Sequence, residues 1–132
     1  MVILIVITVV GALTPGVVTQ ISHARVNRAA RIVAADLMAA QSMASRTRGP
    51  MRLLVDSGGK IIEVRDLKTN TVTYLRFFGT TSEFKLTRLA GNPGRIIFFP
   101  SGMASVSQVI AVGMPGYQRT VNVSRAGQIR VQ

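Results

Sequence analysis

The first 18 residues, MVILIVITVVGALTPGVV, carry no charged side chain, and the first titratable group is His23. As a helix this run would span about 27 Å, close to the hydrocarbon thickness of a bilayer. Its Val and Ile make a weak helix in water. In lipid, an intrahelical hydrogen-bond ladder is how a single segment satisfies its backbone. Residues 1–18 are therefore expected to form a membrane-anchoring helix, with Pro15 and Gly16 kinking or loosening its end. Two alternatives fit less well. A cleaved signal peptide needs a basic start, and Met1 is followed at once by Val2, although Ser22-His23-Ala24 has the small-x-small form of a cleavage site. The third option is a buried core helix.

From Thr19 the pattern changes without breaking. Val26, Ala30, Val33, Leu37, Ala40 and Ala44 recur at steps of four and three, which is one face of an α-helix. The expected role of this stripe is core packing. No strong breaker follows until Gly49-Pro50, so residues 19–49 read as an amphipathic continuation ending near Arg48. Arg46 and Arg48 suit the negative end of the helix dipole.

Residues 50–132 switch to short extended runs split by turn residues. Strands are expected at 51–56, 60–66, 71–78, 84–89, 95–100, 106–112, 120–124 and 128–131. Ala90–Gly94 is expected to be a Gly/Pro loop. About eight short strands in this length imply antiparallel sheets, with the helical stripe packed on one of them. The expected fold class is α+β, a long N-terminal helix on an antiparallel β-domain.

The chain is strongly basic. It has 16 Lys and Arg against 5 Asp and Glu, a net charge of +11, and 13 of the 16 cations are Arg. Both parts are basic, 1–50 by four charges and 51–132 by seven. Such a balance favours anionic partners, and Arg in particular makes bidentate contacts to carboxylate and phosphate. Arg25, Arg28 and Arg31 follow the apolar run directly. The positive-inside rule would then keep the bulk of the chain in the cytoplasm; a basic leader upstream of Met1 would reverse that.

Little remains for catalysis. The chain has no Cys and one His, so thiolate metal sites and a Cys nucleophile are excluded. His23 has no acidic residue one helical turn away. Gly58-Gly59-Lys60 lacks the spacing of a phosphate loop and sits in a hairpin turn. No Ser, His and Asp are brought together by pattern. No enzyme activity, metal or cofactor is expected. The adjacent pairs Phe77-Phe78 and Phe98-Phe99 are expected to split, one ring to the core and one outward. Gly102 and Gly127 are expected to serve turns.

Three stretches carry a resemblance. They are the apolar start with Gly11; the helix end Ala40-Gln41-Ser42-Met43-Ala44-Ser45-Arg46-Thr47-Arg48-Gly49-Pro50 running into Met51-Arg52-Leu53; and Ile96-Ile97-Phe98-Phe99-Pro100-Ser101-Gly102 with the closing run Val121–Val131. In order and spacing the chain resembles the GspH/FimT family of type IV pilin-like proteins, minor pseudopilins and minor pilins. The resemblance implies a structural subunit of a type II secretion or type IV pilus system. It would be anchored in a bacterial inner membrane with the β-domain in the periplasm. Its partners would be other pilins of the filament and the inner-membrane assembly platform. On this reading Val26, Ala30, Val33 and Leu37 belong to the helix that packs the filament. The family's basic leader and processing site have no counterpart here, and Val2 falls about where the family has a glutamate. Either the leader lies upstream of Met1, which is the expectation, or this member has lost processing. Some FimT-type proteins are associated with DNA uptake, which makes DNA binding the alternative function. Its candidate contacts are Arg88, Arg95, Arg119, Arg125 and Arg130, with Tyr117 as a stacking platform. Gln128 departs from the family's Arg after Gly127.

Overall fold

A computed structural model describes the backbone of residues 2–79 and 82–132, and side chains from Ile21 onward except Ser22, Thr80 and Thr81. The anchoring role expected of residues 1–18 lies outside the described side chains. Among the described residues, no helix is long and apolar enough to cross a membrane.

Helix α1 runs Val2–Thr47. It stops where the sequence predicts, by a Schellman turn: the Gly49 amide donates to the Ala44 carbonyl at 3.3 Å. The left-handed residue of this turn is Arg48, at φ +53°, so the glycine sits one position beyond its usual place.

Eight strands follow: β1 Met51–Asp56, β2 Ile61–Asp66, β3 Thr71–Phe77, β4 Arg88–Asn92, β5 Arg95–Phe98, β6 Gln108–Met114, β7 Tyr117–Val123 and β8 Ile129–Val131. They form two antiparallel four-stranded sheets, and the departure from expectation is that the helix packs on both rather than on one. Sheet A has the order β3-β2-β1-β5 and sheet B the order β4-β6-β7-β8. The helix packs on both, against β1 and β5 on one side and β6, β7 and β8 on the other.

Period-two alternation decides which residues reach the core. Leu53 and Val55, Ile62 and Val64, Ile96 and Phe98, Ile110 and Val112, and Val121 and Val123 all point inward. Against them lies the helical stripe, in which Val26, Ala29, Ala30, Val33, Leu37, Ala40 and Ala44 are fully buried. Four of these seven are Ala, and the small side chains let the helix axis lie close to both sheets. Phe78 and Phe98 are also fully buried, whereas Phe77 and Phe99 stay 42% and 41% exposed, as the pairing of adjacent residues requires.

The sequence misplaces one strand. Residues 84–87, expected to be extended, are irregular, while Ala90–Asn92, expected to be loop, lies within β4 and pairs with β6. The apolar spacing of Phe84 and Leu86 is real, since both are buried. They plug the core from a bent segment in which Lys85 takes φ +51°. Gly91 is required by the pairing: a Cβ there would come within 2.8 Å of the Gly94 Cα and 3.1 Å of Val55. The two sheets are nearly in contact at this point. Gln108 secures them, its side-chain oxygen accepting from the Gly94 and Arg95 amides at 3.1 Å.

Candidate interaction surfaces

Among the described residues, three part-buried polar clusters tie the helix to the β-domain. Nearest the helix end, Gln41 Nε2 donates to the carbonyls of Gly102, at 2.6 Å, and Gly127, at 3.1 Å. Both glycines have positive φ, +90° and +89°, which turns their carbonyls toward one amide. Gly102 and Gly127 thus do serve turns, and the turns serve Gln41.

In mid-helix, Asp36 is buried. Its carboxylate accepts from the Tyr74 hydroxyl at 3.0 Å and from Arg76 Nε at 2.9 Å. Burial pushes its pKa up from 3.8 to about 6, against the opposing pull of the Arg76 guanidinium. The link ties β3, the free edge of sheet A, to the helix. Sequence reasoning passed over this residue; the available signal was that Asp36 is the single carboxylate in the first 50 residues, on a helix otherwise basic.

Toward the other end, Asn27 Oδ1 accepts from the Tyr117 hydroxyl at 2.7 Å and from Arg119 Nη1 at 2.8 Å. Arg119 Nε donates to the backbone oxygen of Gln132 at 2.8 Å. The Tyr117 ring stacks on His23, with ring centroids 4.0 Å apart.

These links bear on the five arginines singled out from the sequence. Arg119 and Tyr117 are held inside the helix–sheet junction, where Tyr117 stacks on a histidine. Arg88 and Arg130 stand on the outer face of sheet B, on its opposite edge strands; Arg88 donates to Gln118 at 3.1 Å. Arg130 borders a depression of about 380 Å³ lined also by Ser107, Val109, Asn122 and Gln128. Arg95 opens β5 in the other sheet. Arg125 sits in the β7–β8 turn, where its carbonyl accepts from the Ala104 amide. The five do not form one patch. What they share is the absence of a carboxylate: residues 84–132 contain six cations and no acidic residue.

The helical stripe is likewise assigned by geometry. Val26, Ala30, Val33 and Leu37 are fully buried under the chain's own sheets, so they present no surface to a neighbouring subunit. The exposed face of the described helix is a second stripe with the same spacing, Ala24, Arg28, Arg31, Ala35, Met38 and Ser42. Arg28 reaches Glu83 at 3.5 Å in an exposed pair and lies over the Phe84 ring.

The Gly58-Gly59-Lys60 turn holds an anion of its own. Asp56 Oδ1 accepts from the Gly58 and Gly59 amides at 3.1 and 3.2 Å, which occupies the donors a phosphate would need. Among the described residues, no three His, Cys, Asp or Glu side chains are grouped to hold a metal ion.

Comparison with known proteins agrees with this architecture. The model of the family described as Type II transport protein GspH matches residues 29–127. Two solved structures share the fold. The Pseudomonas aeruginosa type IV minor pilin FimU aligns at TM-score 0.64 and 18% identity, covering 80% of this chain and 91% of that one. The minor pseudopilin EpsH of the Vibrio cholerae type 2 secretion system aligns at TM-score 0.67 and 13% identity, covering 82% and 96%. No curated protein matches the chain.

Proposed function

Because this chain belongs to the GspH family of type II transport proteins, we propose that it is a minor pseudopilin or minor pilin that contributes to the assembly of a pseudopilus or pilus. Residues 1–18 anchor it in a bacterial inner membrane before assembly, with the β-domain in the periplasm. Its partners are the other pilin-like subunits and the membrane platform that assembles them. Transfer from bilayer to filament is tolerable because apolar contacts with lipid are exchanged for apolar contacts with neighbouring helices.

The observation that carries this reading is the second helical stripe. One face of the described helix is wholly consumed by the chain's own core, and the opposite face is left exposed, with the small residues Ala24, Ala35 and Ser42 alternating with Arg28, Arg31 and Met38. Small residues are what close helix–helix approach needs. Ala35→Phe tests it: the melting temperature should stay unchanged and recovery in the sheared filament fraction should fall several-fold. Undiminished recovery would remove the stripe from the filament contact.

A second reading, DNA binding, is favoured by the run of six cations without a carboxylate from residue 84 onward. Arg119 drops out of its contact set, being held by Asn27 and Gln132. Two or three phosphate contacts predict a log–log salt slope of roughly −2 to −3 in duplex binding. Arg125→Ala with Arg130→Ala should flatten it. A slope near zero in the full chain would leave only the structural role.

A further inference from the structure

The outer face of sheet A has an unsettled cation. Arg52 points outward from β1, and in the sheet register it lies between Arg65 on β2 and Ile97 on β5. Like charges directly opposite one another are unfavourable. The carboxylate in reach, Glu63, is taken: it pairs with Arg65 at 3.0 Å, both side chains about three-quarters buried. Arg52 Nε is shut off from solvent and has no hydrogen-bond partner among the described residues. A buried N–H donor without an acceptor calls for an explanation.

The surroundings are apolar and unusually open. Leu75, Val72 and Phe77 on β3 are 61%, 48% and 42% exposed, and at the opposite edge Phe99, just past β5, is 41% exposed. Exposed aromatic and aliphatic side chains on both edges of a sheet face with a guanidinium between them have the composition of a protein interface rather than of a solvated sheet.

We propose that this face docks a different pilin-like subunit, one that brings an apolar surface and a carboxylate to the terminal Nη atoms of Arg52. A second copy of the chain is a poor occupant. Each of its five carboxylates already holds an internal donor: Asp36 with Arg76, Glu63 with Arg65, Glu83 with Arg28, Asp56 with the Gly58 and Gly59 amides, and Asp66 with the Lys68 amide. A copy would also bring its own net charge of +11. An acid-bearing partner meets complementary charge, and the planar fork of Arg52 favours a carboxylate over a neutral acceptor. The docking face therefore selects for unlike neighbours, and it rests on the filament reading above.

The test places the photocross-linker p-benzoylphenylalanine at Leu75 in the full chain, expressed in its own cells, and identifies the adduct by mass spectrometry. The expected product is a different pilin-like chain with Asp or Glu in the cross-linked segment. Its yield should fall by at least roughly tenfold in Arg52→Met and recover only in part in Arg52→Lys, which keeps the charge but not the fork. The melting temperature of Arg52→Met should not fall, since the change removes a buried donor without a partner; if it does fall, the comparison is made with Arg52→Gln. Adducts to a second copy or to lipid, no adduct, or a yield insensitive to Arg52 would overturn the docking face. Recovery in sheared filaments is scored on the same cells. A chain present in filaments without an Arg52-dependent adduct refutes the face alone; a chain absent from filaments refutes the filament reading.

Discussion

At Gly127 a Cβ atom would collide with the Gly102 carbonyl oxygen and with Gln41 Nε2, and the backbone already takes φ +89°. Gly116 has a similar φ of +83° but nothing within 4 Å. The pair separates two costs. Gly116→Ala should lose about 1 kcal/mol, from backbone strain alone. Gly127→Ala should lose roughly 2–4 kcal/mol, because the strain is joined by a backbone clash and the Gln41 link is broken. Chemical denaturation of both variants checks this; equal losses would refute the role given to Gln41. Asp36 supplies a pH-dependent prediction. Its pKa is raised in the folded chain, so the native state holds the proton more tightly than the unfolded one. The contribution of Asp36 to stability should be fully present below about pH 4 and be lost as pH rises through about 6. The decline is bounded by roughly 3 kcal/mol. Asp36→Asn should flatten the profile across that window, and a wild-type profile that rises there would contradict the assignment.

At the scale of elements, the helix divides into faces that answer differently to mutation. Leu37 is fully buried and Met38, its neighbour, is 52% exposed. Leu37→Ala should cost about 2–5 kcal/mol, and Met38→Ala should stay within about 0.5 kcal/mol. A large loss at Met38 would mean that the exposed stripe is covered within the single chain. The stripe and the helix end were legible because both are written locally: a 3.6-residue period, then Gly49-Pro50. The hairpins of sheet A were legible for the same reason, each joined by a short turn at Gly58-Gly59 or Asn70. Residues 84–92 were not. Phe84 and Leu86 alternate like a strand, yet their burial comes from a bent plug. Ala90-Gly91-Asn92 looks like a loop, yet the small residues are there because a second sheet passes within contact distance.

Across the whole molecule, the pairing of strands into two sheets could not be read from the sequence. No local pattern says that β5 joins β1 while β4 joins β6. Site residues suffered from the same non-locality. Arg119 looked free because its partner Asn27 lies 92 residues away. Arg52 looked ordinary because its deficit appears only when Arg65 and Ile97 flank it. The charge pattern, by contrast, is plain in the sequence itself: from residue 84 onward the cations have no acidic neighbour along the chain.

The proposal that the chain is a filament subunit is tested most directly by the intact mass and N-terminal residue of the protein extracted from its own membranes. The account predicts an N-methylated residue at or upstream of Met1, exposed by removal of a basic leader. Met1 as an unprocessed start would contradict the filament role. A start near Arg25 would contradict the anchor and leave a secreted basic domain.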